Sequence, residues 1–173
     1  MRKVEVCPYD EEWPKMFHYE MNKLQGIYGS QIVTIHHIGS TSIEGLKAKP
    51  IIDIMPVVKN IKEVDKFDDQ MRAIGYEPRG ENGIPGRRYF QKGGDSRTHH
   101  VHIYQQGDMQ IKRHLAFRDY LRMNSELKIK YGNLKEKLSK QFPHDIAAYI
   151  KGKEQLISEI EKKAVNWNRL NNQ

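Results

Sequence analysis

The segment Ile51-Ile52-Asp53-Ile54-Met55-Pro56-Val57-Val58 constrains this chain more than any other. A short run that is almost continuously apolar reads as a buried strand, with Pro56 expected at a bulge or at its edge-facing end. Asp53 interrupts it. A carboxylate taken out of water is costly unless it is paired, hydrogen-bonded or bound to a metal. Asp53 is therefore a functional candidate, and a carboxylate that merely pairs with a buried Arg or with backbone amides is the competing reading.

Around that strand the periodicities alternate. Trp13, Met16, Phe17, Met21, Leu24, Ile27 and Tyr28 recur at helical spacing, with Asp10 as the expected N-cap. The β-branched stretch from Gln31 to Ile38 predicts a strand. Gly39-Ser40-Thr41-Ser42 predicts a turn opening a short helical segment that ends at Gly45. Asn60 and Glu63 have capping-box spacing ahead of Val64, Phe67, Met71 and Ile74, and Gly75 suits the position after the helix. Glycines then punctuate two strands, Arg87 to Lys92 and Thr98 to Gln105, which predict a hairpin. Three helical patterns finish the chain: one through Ile111, Leu115 and Leu121, one that Ser125 caps and Pro143 stops, and one from Ile146 to Trp167. This order predicts an α+β fold, a sheet flanked by helices with a C-terminal helical region. The expected organisation is a core over residues 1–106 with helices 107–173 packed on it, as one domain.

Composition removes several classes. No apolar run among the 173 residues approaches the roughly 18 needed to span a bilayer. The opening residues lack the apolar stretch of a signal peptide. Cys7 is the only cysteine, so an intrachain disulfide and a CxxC metal site are excluded. The expectation is a soluble, cytoplasmic protein with no membrane partner. The formal charge of +7 is unevenly spread: residues 1–77 hold 10 basic and 12 acidic side chains, and residues 78–173 hold 19 and 10. A basic half attracts phosphate-bearing partners, and a solubilising surface is the alternative.

Five clusters carry chemistry. Gly39, Ser40, Thr41 and Ser42 leave a strand with small residues and hydroxyl donors, which suits a phosphate cradle as well as an ordinary turn. Lys49 and Asp53 bracket the start of the apolar run. Strand alternation puts His100, His102 and Tyr104 on one face, where two histidines can share a metal or hydrogen-bond an anion. Asp53 or His37 would supply a third ligand, and a face of hydrogen-bonded histidines is the alternative. Gly83-Ile84-Pro85-Gly86 delivers Arg87 and Arg88 to opposite faces of a strand. Arg118 and Arg122 share a helix face and suit a charged cleft or a solvated surface.

Taken together, Gly39-Ser40-Thr41-Ser42-Ile43-Glu44-Gly45-Leu46, Lys49-Pro50-Ile51-Ile52-Asp53-Ile54, Gly83-Ile84-Pro85-Gly86-Arg87-Arg88, His99-His100-Val101-His102, Phe117-Arg118-Asp119-Tyr120-Leu121-Arg122 and Tyr149-Ile-Lys-Gly-Lys153 resemble the GrpB family. The resemblance implies a nucleotidyltransferase fold like the palm of polymerase β-type enzymes. In that superfamily a Gly-Ser turn holds the triphosphate, while an Asp-x-Asp pair and a third carboxylate bind two magnesium ions. Some relatives are fused to dephospho-CoA kinase, which implies nucleotide or coenzyme chemistry. This chain departs from the pattern: Ile51 and Met55 flank Asp53 where a second Asp is required, and the later strand offers His100 and His102. One Asp with two imidazoles suits zinc, manganese or nickel better than magnesium.

Three functions follow as expectations. The first is binding of a nucleotide or CoA-like molecule with metal-dependent nucleotidyl or phosphoryl transfer. There Gly39, Ser40, Thr41, Ser42, Lys49, Arg87 and Arg88 hold phosphate, and Asp53, His100 and His102 hold a divalent ion (Mg, Mn or Zn) or act in catalysis. The second is a non-catalytic binder that lost its acidic metal site. The third is an RNA-binding protein stacking bases on Tyr89, Phe90 and Tyr104, which the absence of an RNP-type motif disfavours.

Overall fold

The computed structural model describes residues 2–171. The chain forms two compact units, one of Glu11–Ile38 with Ile51–Ile111, the other of Met1–Asp10, Gly39–Pro50 and Lys112–Gln173.

The first unit holds a mixed sheet. Helix α1 (Glu12–Tyr28) precedes strand β1 (Ile32–Ile38), and β2 (Ile52–Val58) follows. A 3-10 segment (Ile61–Phe67) then leads into α2 (Asp68–Ala73), and β3 (Tyr76–Pro78), β4 (Arg88–Lys92) and β5 (His99–Gln105) complete the unit. The strand order is β1-β2-β5-β4-β3. Only β2 and β5 pair in parallel, with Asp53 beside His100. β5 runs antiparallel to β4, with Tyr89 opposite His102. The expected hairpin is present, and the short strand β3 adds to it.

β2 is an interior strand, so Pro56 is not at an edge. Its pairing with β5 passes from Ile54–Val101 to Val57–Tyr104, so Pro56 falls in the gap where no ladder bond is lost to its missing N–H. Trp13, Phe17, Leu24 and Tyr28 of α1 are buried, as are Ile52, Ile54, Met55, Val57 and Val58 of β2 and Val101 and Ile103 of β5. Burial of β2 on both alternations is what its nearly continuous apolar run demands. The N-cap position of α1 falls on Glu11, already in helical geometry, rather than on Asp10. Asn60 does cap the next segment, accepting from the Lys62 amide at 3.1 Å.

The second unit is helical: it holds α3 (Met109–Met123) from Lys112 onward, α4 (Ser125–Gln141) and α5 (Ile146–Asn171). α4 is capped one residue earlier than expected, by Asn124 accepting from the Leu127 amide at 3.1 Å. Cys7 and Ala48 exchange backbone hydrogen bonds of 2.9 and 3.0 Å. Ile43 and Leu46 pack with Leu121, Tyr131, Leu156 and Ile160, while Val4, Leu138 and Tyr149 form a second cluster. A Cβ on Gly152 would stand 2.5 Å from Leu138 Cδ2, which explains the glycine in the Tyr149–Lys153 motif: α5 closes on α4 there.

Candidate functional site

In the sheet unit, Asp53 lies on β2, and His100 and His102 on β5. Both rings turn to the same carboxylate oxygen: His102 Nε2 stands 3.1 Å from Asp53 Oδ1, and His100 Nδ1 stands 3.4 Å from it. The expected single face of β5 is therefore real for the two histidines. Burial alone would raise the Asp53 pKa, but the hydrogen bonds from His100 and His102 outweigh it and hold the carboxyl well below the ordinary range. All three side chains are partly buried. One ligand atom from each lies within 4.8 Å of the others, the composition of a divalent-metal cluster.

That donor set does not fit the pair of magnesium ions that the resemblance implies. Magnesium wants an octahedral shell of oxygen ligands, and here one carboxylate stands among imidazoles. His37 takes no part: its ring stacks on Phe17 at 4.8 Å between centroids.

The two expected phosphate-binding arginines are engaged elsewhere. Arg87 is buried and donates from Nε to the Glu81 carbonyl (3.2 Å), from Nη2 to the Asn82 carbonyl (2.9 Å) and from Nη1 toward His102 Nδ1 (3.3 Å). Arg88, on the other alternation, grips Asp65 with two bonds of 2.8 and 3.3 Å. Arg97, which sequence reasoning gave no role, donates to the Gly94 carbonyl at 2.8 Å and reaches His100 Nε2 at 3.4 Å. Tyr89, Phe90 and Tyr104 are buried, so none offers a stacking face to RNA.

The helical unit carries the Gly-Ser turn. Gly39 adopts φ +73°, a conformation that only glycine takes without strain. The helical segment expected to reach Gly45 is one 3-10 turn, Ser40–Ser42. Thr41 and Ser42 are buried, and the Ser42 hydroxyl donates to the Gly39 carbonyl. Arg122 reaches back to this turn, donating to the Ser42 carbonyl from Nε (3.1 Å) and Nη2 (2.7 Å). Arg118 pairs with its neighbour Asp119 at 2.8 Å. Arg122 thus fixes the turn.

The same unit holds a cationic cluster that sequence reasoning missed apart from Lys49. Lys135 of α4 is 2% exposed, and its ammonium has no hydrogen-bond partner among the described residues. It lies 4.5 Å over the ring of Tyr131. The ammonium groups of Lys49 and Lys153 lie 5.3 and 4.8 Å over the single ring of Tyr149, whose buried hydroxyl also lacks a partner. Burial, then the charges of Lys153 and Lys49, push the Lys135 pKa well below the ordinary lysine value. A signal existed: Lys135 is four residues after Tyr131, inside the stripe of Leu127, Tyr131, Leu134 and Leu138, where an apolar residue is the norm.

Comparison with known proteins bears on this arrangement. A family model described as GrpB protein matches residues 3–163. The UPF0157 protein YqkA of Bacillus subtilis is 51% identical over 168 residues, covering 97% of this chain and 49% of its own length. The chain thus spans about half of that curated relative. The crystal structure of conserved protein GrpB from Enterococcus faecalis matches with a TM-score of 0.92 at 44% identity, over 95% of this chain and 99% of that one. The Cid1 poly(U) polymerase, solved with MgGTP bound, matches with a TM-score of 0.52 at 16% identity, over 80% of this chain and 44% of that one. At that identity the likeness concerns the fold, which is the nucleotidyltransferase fold. Among the described residues no helix is long and apolar enough to cross a membrane.

Proposed function

The chain belongs to the GrpB family, and from that premise we propose that it binds a nucleotide or another phosphate-bearing small molecule, coenzyme A-like ligands included, through the lysine cluster of its helical unit. The observation that carries this reading is Lys135. A lysine buried without a partner is destabilising, and two further ammonium groups nearby add repulsion. Such an arrangement is costly in a free protein and favourable around a multiply charged anion. A phosphate chain supplies several negative charges and acceptor oxygens for Lys135, Lys49 and Lys153, and for the Tyr149 hydroxyl. Gly39, Ser40, Thr41 and Ser42 belong to the same unit and supply backbone amides and the Ser40 hydroxyl to this reading.

Thermal shift tests it with ATP, coenzyme A and pyrophosphate in EDTA. At a hundredfold excess over Kd a ligand adds about 2.7 kcal/mol, which moves Tm by roughly 5–10 °C at this chain length. The shift is expected with at least one of the three and is expected to vanish in Lys135→Met. No shift with any of them, or a shift that Lys135→Met keeps in full, sinks the reading.

Nucleotidyl or phosphoryl transfer is the second reading. One observation favours it: an ionised Asp53 on the interior strand of a nucleotidyltransferase fold. It predicts consumption of a nucleoside triphosphate that Asp53→Asn abolishes.

A further inference from the structure

The Asp53 cluster is decided by what stands on the far side of each histidine. Separations of 3.1 and 3.4 Å between Asp53 Oδ1 and the two ring nitrogens suit ligands around one ion and suit direct hydrogen bonds equally. The outer nitrogens discriminate between the two. A histidine that binds a metal through one nitrogen carries its proton on the other, and that N–H needs an acceptor, such as a carboxylate, a carbonyl or water. Here the outer nitrogen of His102 faces Arg87 at 3.3 Å, and the outer nitrogen of His100 faces Arg97 at 3.4 Å. A guanidinium only donates. Each outer nitrogen must therefore accept, and each ring's single proton lies on the inner nitrogen, aimed at Asp53.

We infer that this cluster is complete without a metal ion: Arg87 acting through His102, and Arg97 acting through His100, are the cations that balance Asp53. The order of donation is Arg87 to His102 to Asp53 on one side, and Arg97 to His100 to Asp53 on the other. The two rings are locked in opposite tautomers, Nε2–H for His102 and Nδ1–H for His100. A metal entering between them would displace both inner protons. It would force protons onto nitrogens that already face arginine donors, and it would bring its own charge toward two guanidinium groups. Arg87 cannot readily turn away, because its other nitrogens are held by the Glu81 and Asn82 carbonyls. Arg97 is anchored likewise by the Gly94 carbonyl. The three residues that could hold an ion form a self-neutralising relay instead. This inference stands apart from the lysine cluster and neither needs nor implies phosphate binding.

Nitrogen-15 NMR of the histidine rings tests it on the unmodified protein. The expected spectrum in EDTA assigns Nε2–H to His102 and Nδ1–H to His100, each as one tautomer, and a stoichiometric addition of zinc or magnesium leaves both unchanged. A zinc-dependent switch of His102 to Nδ1–H, with its Nε2 shifted to the metal-bound range, overturns the inference. So does a mixture of tautomers on either ring in EDTA. Arg87→Met gives a gain-of-binding check that misfolding cannot mimic. With native circular dichroism it should bind zinc at least tenfold more tightly than the parent, and an affinity equal to the parent's counts against the role given to Arg87.

Discussion

Lys135 sits one helical turn after Tyr131 on α4, with its ammonium 4.5 Å from the centre of that ring and no hydrogen-bond partner among the described residues. The contact with the ring face offsets part of the burial cost, and it leaves the three N–H donors of the lysine unsatisfied. The unpartnered ammonium is thus a local weakness in the free protein.

Lys135→Met should stabilise the free protein, because an apolar side chain of similar length replaces a buried amine that has no hydrogen-bond partner among the described residues. A gain of about 1–3 kcal/mol is expected in urea unfolding.

The same lysine sets a pH dependence. Its folded pKa lies below its unfolded value, which is about 10.4. Between the two values the unfolded chain binds the extra proton, so this group's contribution to stability rises with pH and levels off above the unfolded value. The urea midpoint of the parent should therefore climb relative to that of Lys135→Met as pH is raised from about 7.5 to about 9.5. Parallel profiles for the two proteins would remove Lys135 from this account.

Glu20 acts with the same sign in the acid range. It is buried in the sheet unit and accepts from Lys92 and from the Tyr76 hydroxyl, each at 2.8 Å, with Lys23 at 3.2 Å. Burial would raise its pKa, but the hydrogen bonds from Lys92 and Tyr76 outweigh that and lower it. Its contribution is present above the unfolded carboxyl value of about 4.3 and is lost as pH falls below that toward the folded one. Glu20→Gln leaves Lys92 without its counter-charge and should cost about 3 kcal/mol at neutral pH. Acid unfolding of the variant should lack the part of the slope that Glu20 supplies.

Gly152→Ala should destabilise by about 1–3 kcal/mol, because the new methyl meets the buried Leu138 side chain. Pairing it with Leu138→Ala in a double-mutant cycle should recover part of that loss, whereas additive costs would place the strain elsewhere.

The strands and helices were legible wherever one period dominated. The apolar run of β2 announced its burial, and the alternation of His100 and His102 announced their shared face. Pro56 is not at an edge: a gap in pairing with β5, invisible in one strand's sequence, lets an interior strand hold a proline, next to a register irregularity between β1 and β2 at Ile32–Thr34. Caps at Asp10 and Ser125 were displaced by one residue because the neighbouring position satisfied the same backbone requirement or was already helical. Arg87 and Arg88 suit an anion in the sequence because a Gly/Pro turn delivers their forked side chains to the start of a strand. Their partners, Asp65, His102 and two loop carbonyls, come from elsewhere in the chain, and only tertiary structure brings them close. Lys135 was overlooked because lysines on helices are usually solvated.

The central claim is that a phosphate chain completes the Lys135, Lys49 and Lys153 cluster, and calorimetric titration tests it most directly. ATP, coenzyme A and pyrophosphate would each be titrated in EDTA, in two buffers of different ionisation enthalpy, so that proton exchange is measured along with affinity. The account predicts binding of at least one of them with net proton uptake, as the anion restores the charge on Lys135, and loss of both affinity and uptake in Lys135→Met. No binding by any of the three, or binding that Lys135→Met leaves unchanged, would contradict it.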